Sequence, residues 1–266
     1  MNTKAQTHQT TALMQTRIPL LLTSSVIAHD NGVKLKETNA RLRHTIEGIE
    51  KWLKIDASLQ IVICDGSGYD LQSKLGHLPS KSTIEFLNFN NDKRLVAKFG
   101  RGYGEGEIVR HALENSILIK TAGCFAKCSS KLWVENFHDC LKVWNGYFLC
   151  KGVFSNVFSL FRETTFDYID TRFYVASKLF YERHLLEAHK NIDASAGHSL
   201  EECFHDVIVK ERIGQSLLPI APIIHGVGGG TGKYYKNPIK RMLKEKLRVF
   251  FVRNNMQYAW LFANKN

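Results

Sequence analysis

Three carboxylates stand where acid–base chemistry would find the residues it needs. Glu201 and Glu202 open a segment of helical periodicity from Ser199 to Glu211, and Asp170 heads an Asp-Thr-Arg triplet. A carboxylate held against a hydroxyl can take its proton in the transition state. Two of the three also have a structural reading. Glu202 is spaced to close a capping box with Ser199, and Asp170 can form a salt bridge within its triplet or clamp a ligand. Glu201 has no such structural alternative.

Other residues suit a phosphorylated or ribose-bearing ligand. Asp65-Gly-Ser-Gly68 leaves the end of an apolar run, so the Asp65 carboxylate can accept hydrogen bonds while Gly66 and Gly68, on either side of Ser67, let the backbone approach a ligand. A plain turn explains the tetrapeptide equally well. Thr23, Ser24 and Ser25 end an earlier apolar run. Gly100–Gly106 is glycine-rich, and its Arg101 and Gly102 precede a helical pattern whose first N–H groups could meet an anion. It lacks the Lys-Ser/Thr ending of a P-loop. His225–Gly232 is the densest glycine cluster, with Gly229 at its middle and Lys233 directly after it. It reads as a loop that closes over a diphosphate or as a linker.

The elements that must position these residues follow from periodicity. Ile18–Ala28 and Leu59–Cys64 are near-continuous apolar runs, which read as buried parallel strands. Between them, Leu42, Ile46, Ile49 and Leu53 recur at helical spacing. A strand–helix–strand crossover places its ligand site beyond the carboxyl ends of the strands. Further expectations are a strand at Thr83–Phe89, a helix at Glu107–Asn115, a strand at Ile117–Lys120, mixed strands in Trp133–Phe161 and a helix at Tyr174–Lys190. The fold class is α/β, an open and mostly parallel sheet flanked by helices, with a Rossmann-like nucleotide half at 18–131 and an irregular acceptor half at 132–236.

The chain of 266 residues is 44% hydrophobic and carries a net charge of +11, enough apolar content for a sizeable core and enough positive charge to attract polyanions. No run of eighteen uncharged apolar residues occurs, so no membrane span is expected. The first seventeen residues read as a polar tail without a secretory cleavage site. Six scattered cysteines read as buried reduced thiols in a cytoplasmic protein, and Cys124 and Cys128 lack partners for a zinc site. Residues 237–266 mix Lys240, Lys244 and Arg248 with Leu243, Leu247 and Phe250, the pattern of a basic amphipathic helix on an anionic membrane surface. No recognised nucleic-acid motif appears, and no nucleic-acid partner is expected.

Taken in order, these segments resemble GT-A-fold glycosyltransferases of bacterial lipopolysaccharide and capsule biosynthesis. IVICDGSGYD at Ile61–Asp70 is similar to the strand and turn whose aspartate contacts the donor nucleotide, and Gly100–Lys131 resembles the following Gly-Glu, helix and Lys-x-x-Gly stretch. Phe166–Tyr174, His198–Ile208 and Ile223–Tyr235 resemble acceptor-side segments, so the likeness spans residues 18 to 236. The resemblance implies a nucleotide-sugar donor, a glycan or lipid-linked acceptor, an enzyme peripheral to the inner membrane face, and Glu201–Glu202 as the acidic pair that supplies the base, with Glu201 the preferred member and Asp170 the second candidate. It also exposes departures. No Asp-x-Asp follows Ile117–Lys120, where such enzymes bind a divalent ion such as Mg or Mn. Either no metal is used and Lys120, Lys127 or Arg101 meets the leaving phosphate, or an ion binds elsewhere, at Asp167 or Asp170. Cys124 stands where related sequences carry Arg. Two further readings stay open: a nucleotidyltransferase acting on a sugar phosphate, and a basic nucleic-acid-binding protein.

Overall fold

A computed structural model of the chain describes residues 17–75 and 83–263; the N-terminal tail expected over the first seventeen residues lies, but for its last residue, outside them. Strand β1 (Leu20–Ser24) is buried along its whole length and lies at the centre of a six-stranded sheet ordered β3-β2-β1-β4-β7-β6. Its neighbours β2 (Ile61–Asp65) and β4 (Cys124–Ser129) run parallel to it, as does β3 (Ile84–Asn88) beyond β2. The long β7 (Thr165–Ser177) and β6 (Phe148–Ser155) complete the sheet in antiparallel sense. A mostly parallel sheet covered on both faces by helices is the expected α/β class.

Continuous apolar runs in β1 and β2 follow from that double covering. Leu21, Val62 and Cys64 point into one core, with Ile108, Val109 and Ala112; Leu20, Leu22, Ile61 and Ile63 point into the other, with Ile49 and Trp52. Burying each such leucine or isoleucine contributes about 1.5–3 kcal/mol. The second core is closed by α1 (Thr38–Ile55), capped by the Glu37 carboxylate, and the first by α3 (Arg101–Asn115). Helix α1 comes close enough to β4 that a Cβ on Gly48 would lie 2.2 Å from the Ser130 carbonyl oxygen. Between β3 and α3 runs the short α2 (Lys93–Phe99).

Three expectations are corrected. Gly100–Gly106 is no loop, because α3 begins at Arg101 and its glycines are helical. Gly100 at φ +83° makes the turn out of α2. Tertiary contact overrides the low helix propensity of glycine: a Cβ on Gly106 would lie 2.2 Å from the His189 ring, and one on Gly102 would lie 3.0 Å from Leu200. Ile117–Lys120 is likewise no strand but lies within α4 (Ile117–Ala122), capped by Ser116, and the sheet strand is β4 just after it. Tyr174–Lys190 is not one helix: Tyr174 to Ser177 end β7, and the chain then passes through α6 (Lys178–Phe180), a π-helical turn at Tyr181–Leu185 and a 3-10 turn at Ala188–Asn191.

The aromatic-rich stretch holds β5 (Leu132–Val134) and α5 (Phe137–Lys142) as well as β6. Helix α7 (Leu200–Lys210) packs on β7 and reaches the glycine face of α3. A second sheet, β5-β8-β9, is antiparallel, with β8 (Ile224–Val227) and β9 (Tyr234–Tyr235) forming a hairpin around the glycine cluster. Helix α8 (Ile239–Arg253) follows. All six cysteines are free and buried.

Candidate active site

A cavity of about 540 Å³ opens beyond the carboxyl ends of β1, β2 and β4, and it is walled by α3, β7, the start of α7, α8 and the tip of the β8–β9 hairpin. Thr23, Ser24 and Ser25 form its floor. The Thr23 and Ser24 hydroxyls are buried, the residues being 6% and 2% exposed, and neither has a hydrogen-bond partner among the described residues.

Arg41 on α1 stiffens this floor. Its Nε donates to the Ser25 carbonyl at 2.8 Å and its Nη1 to the Leu35 carbonyl at 2.9 Å. Burial lowers its pKa against the opposing pull of Asp65 and Asp30. Asp65 lies beneath the cavity and is fully engaged by the protein. Its oxygens accept from the backbone N–H of Val26 at 3.0 Å, of Ser67 at 2.8 Å and of Tyr69 at 3.3 Å, and from the Ser67 hydroxyl. Ser67 in turn accepts from the Ile27 N–H. Asp65 and Ser67 thus build the floor, and only Gly66 of the turn faces the cavity. Glycine is required there, since a Cβ would lie 2.6 Å from Ile108.

The exit of β4 carries Ser129, Ser130 and Lys131. Lys131 is 7% exposed and lines the cavity, and no side-chain hydrogen bond or ion pair among the described residues engages its ammonium. Burial first, and then the Arg41 charge, lower its pKa to about 7, although Asp65 and Glu105 pull the other way. Lys127, four residues earlier and within β4, is fully buried and committed: its ammonium pairs with Glu105 and donates to the Thr171 carbonyl at 2.9 Å. Lys120 sits exposed on α4, outside the lining. Arg101 lines the cavity and lies against the hairpin tip, where a Cβ on Gly230 would come within 2.5 Å of its guanidinium.

Across the cavity, Asp170 and Arg172 form a two-pronged pair, with Arg172 Nε 2.7 Å from Asp170 Oδ1. Burial alone would raise the Asp170 pKa, but Arg172 and then Lys151 outweigh it and the net shift is downward. Glu201 accepts from the Thr171 hydroxyl at 3.2 Å and from the Ser199 hydroxyl at 2.5 Å. Glu202 completes the expected capping box, accepting from the Ser199 N–H at 2.9 Å, and does not line the cavity. Of the three acidic candidates only Glu201 both faces the cavity and lacks a cationic partner among the described residues. The structure thus gathers Thr23, Ser24, Ser25, Gly66, Arg101, Asp170, Glu201 and Gly229 around one space. Asp65, Ser67, Gly102, Lys120, Glu202, His225 and Lys233 lie outside its lining. His225 points elsewhere, held by Glu135 at 2.7 Å and stacked on Trp133. Lys131, Arg41 and Glu105 are lining residues that sequence reasoning missed, whereas Arg172 is the salt-bridge partner expected within the Asp170 triplet.

A divalent ion of the kind GT-A enzymes hold does not fit these residues. The strand exit offers two hydroxyls and an ammonium; of the lining carboxylates, Asp30 is taken by backbone N–H groups, Glu105, Asp170 and Glu245 by lysine or arginine, and Glu201 by the Thr171 and Ser199 hydroxyls. Among the described residues no group of three His, Cys, Asp or Glu side chains is placed to hold a metal.

No family model matches the chain, and no curated protein matches it. Among solved structures it is similar to HddC of Yersinia pseudotuberculosis, at 14% identity and a TM-score of 0.36, over 63% of this chain and 80% of that one. It is also similar to the galactosyltransferase LgtC in complex with donor and acceptor sugar analogues, at 8% identity and a TM-score of 0.43, over 72% and 70%. An active-site mutant of LgtC matches at 7% identity and a TM-score of 0.42, with the same coverage. At these scores the likenesses decide neither fold nor function, and both rest on the chain's own residues.

Proposed function

We propose that the chain is a glycosyltransferase that moves a sugar from a nucleotide-activated donor to a bacterial surface-glycan acceptor of the lipopolysaccharide or capsule type. The observation that carries this reading is the pairing, across one cavity at the carboxyl ends of parallel strands, of a group of cations with a carboxylate that has no cationic partner among the described residues. Arg41, Arg101 and Lys131 suit a diphosphate, and Glu201 suits an acceptor hydroxyl. In the transfer, the acceptor oxygen bonds to the anomeric carbon while the bond from that carbon to the phosphate oxygen breaks. The bonding pair leaves with the nucleoside diphosphate, and the hydroxyl proton passes to Glu201. Asp170, held ionised by Arg172, orients that arginine rather than moving a proton.

The acceptor side fits a lipid-linked glycan at a membrane surface. Ile239, Leu243, Leu247, Phe250 and Phe251 are exposed along α8 and interleaved with its lysines and arginines, the make-up of a helix that rests in an anionic interface. Among the described residues no helix is long and apolar enough to cross a membrane. Co-sedimentation with anionic and neutral vesicles tests this part: equal recovery with both would remove it.

A thermal-shift screen against nucleotides and sugar nucleotides, with and without divalent metal, tests the donor site, because a ligand that binds only the folded state raises its melting point. At least one nucleoside diphosphate and its sugar ester should raise it. If none does, at saturating concentration and in either condition, the reading fails.

A further inference from the structure

Two hydroxyls buried without partners are costly features in a folded chain, and a bound ligand relieves that cost. Thr23 Oγ1 and Ser24 Oγ are such atoms, and both side chains line the cavity floor. The hairpin tip adds convergence: a Cβ on Gly229 would lie 3.8 Å from Arg41 Nη1 and 3.9 Å from Lys131 Cε, so both cations border one small space. The backbone N–H groups of Gly229 and Gly230 take no partner among the described residues. Arg101 closes the far side against Gly230.

Resting on the sugar-transfer reading, we propose that Thr23, Ser24 and Lys131, backed by Arg41 and the Gly229–Gly230 tip, form a diphosphate subsite in which the Lys131 ammonium takes the place of a divalent ion. As the bond from sugar to phosphate oxygen breaks, the electron pair stays on that oxygen and Lys131 meets its charge. Nothing is oxidised or reduced, and the one proton released, from the acceptor, goes to Glu201. The groups facing Lys131 are Arg41 from α1, Asp65 from β2 and Glu105 from α3, with Arg101 across the tip; Lys127 is held by Glu105. Because burial and Arg41 bring the Lys131 pKa to about 7 in the empty site, an arriving diphosphate should draw a proton onto it. Affinity should then fall about tenfold per pH unit above 7.

Isothermal titration with inorganic pyrophosphate in the presence of EDTA tests this, run at pH 6.5 and 8.5 in two buffers of different ionisation heat. Binding should occur without metal, weaken at the higher pH and take up close to one proton at pH 8.5. Lys131→Met should weaken it about 10–150-fold, the worth of one hydrogen bond between charged partners. Thr23→Val should weaken it less, and Lys54→Met, on the exposed end of α1, should leave it unchanged. Pyrophosphate binding that requires Mg²⁺, or that Lys131→Met leaves intact, overturns the subsite. If pyrophosphate binds in this way but no sugar nucleotide does, the subsite stands and the sugar-transfer reading falls. If a sugar nucleotide binds and Lys131→Met does not weaken it, the reverse holds.

Discussion

Replacing Lys131 by methionine should stabilise the folded chain while removing its hold on an anion. The buried amine binds fewer protons folded than unfolded, since its pKa falls from an ordinary 10.5 to about 7. At 1.36 kcal/mol per unit, that difference destabilises the empty protein by roughly 5 kcal/mol as an order of magnitude. The penalty is fully present below pH 7, where the amine is charged in both states. It shrinks by about 1.4 kcal/mol per unit as pH rises above 7 and is gone beyond 10.5. Methionine keeps the length and packing of the stem without the charge. Urea unfolding of both proteins at pH 6.5, 8 and 9.5 should show the variant more stable, with an advantage that narrows as pH rises. An advantage that is absent or flat with pH would mean that the amine is not a buried, unpaired cation, and the phosphate argument would lose its base.

The remaining expectations separate chemistry from architecture. Glu201→Gln should lower transfer about 10²–10⁴-fold with an unchanged melting point, whereas Glu202→Ala, which removes the capping box that a glutamine would keep, should cost about 1 kcal/mol of stability and spare the chemistry; circular dichroism melts beside turnover assays check both. Asp170, whose folded pKa is depressed, contributes stability that is present above the ordinary carboxylate range and lost as pH falls through its lowered value. Asp170→Asn leaves Arg172 unpaired and should destabilise by about 3–5 kcal/mol at pH 7 but by less at pH 3, which acid unfolding of the two proteins compares directly.

Much of the frame was legible in the sequence. Leu20–Ser24, Thr38–Ile55, Ile61–Asp65 and Ile84–Asn88 all lie within or close to the expected runs, because strands buried on both faces and a helix buried on one leave distinct periodicities. The capping box at Ser199 and Glu202 was readable because it is a local contact. What was hidden depends on distant partners. Gly102, Gly104 and Gly106 read as a loop until Leu200, Asn91 and His189 are seen packed against them. Ile117–Ala122 is a short apolar run that periodicity cannot classify, although Ser116 ahead of it was a usable cap signal. Misplacing that strand moved the expected strand exit away from Lys131, which follows β4 directly. Arg41 resembles any polar residue on an amphipathic helix until its three bonds to the Ser25 and Leu35 carbonyls are known.

The most direct test of sugar transfer is the release of nucleoside diphosphate from the sugar nucleotide that best raises the melting point, followed in EDTA with wild-type protein and Glu201→Gln. Release by the wild type that quickens when a glycan acceptor is added, and that Glu201→Gln abolishes while still binding the donor, is the expected result. Release that is absent from the wild type, or identical in the variant, would contradict it.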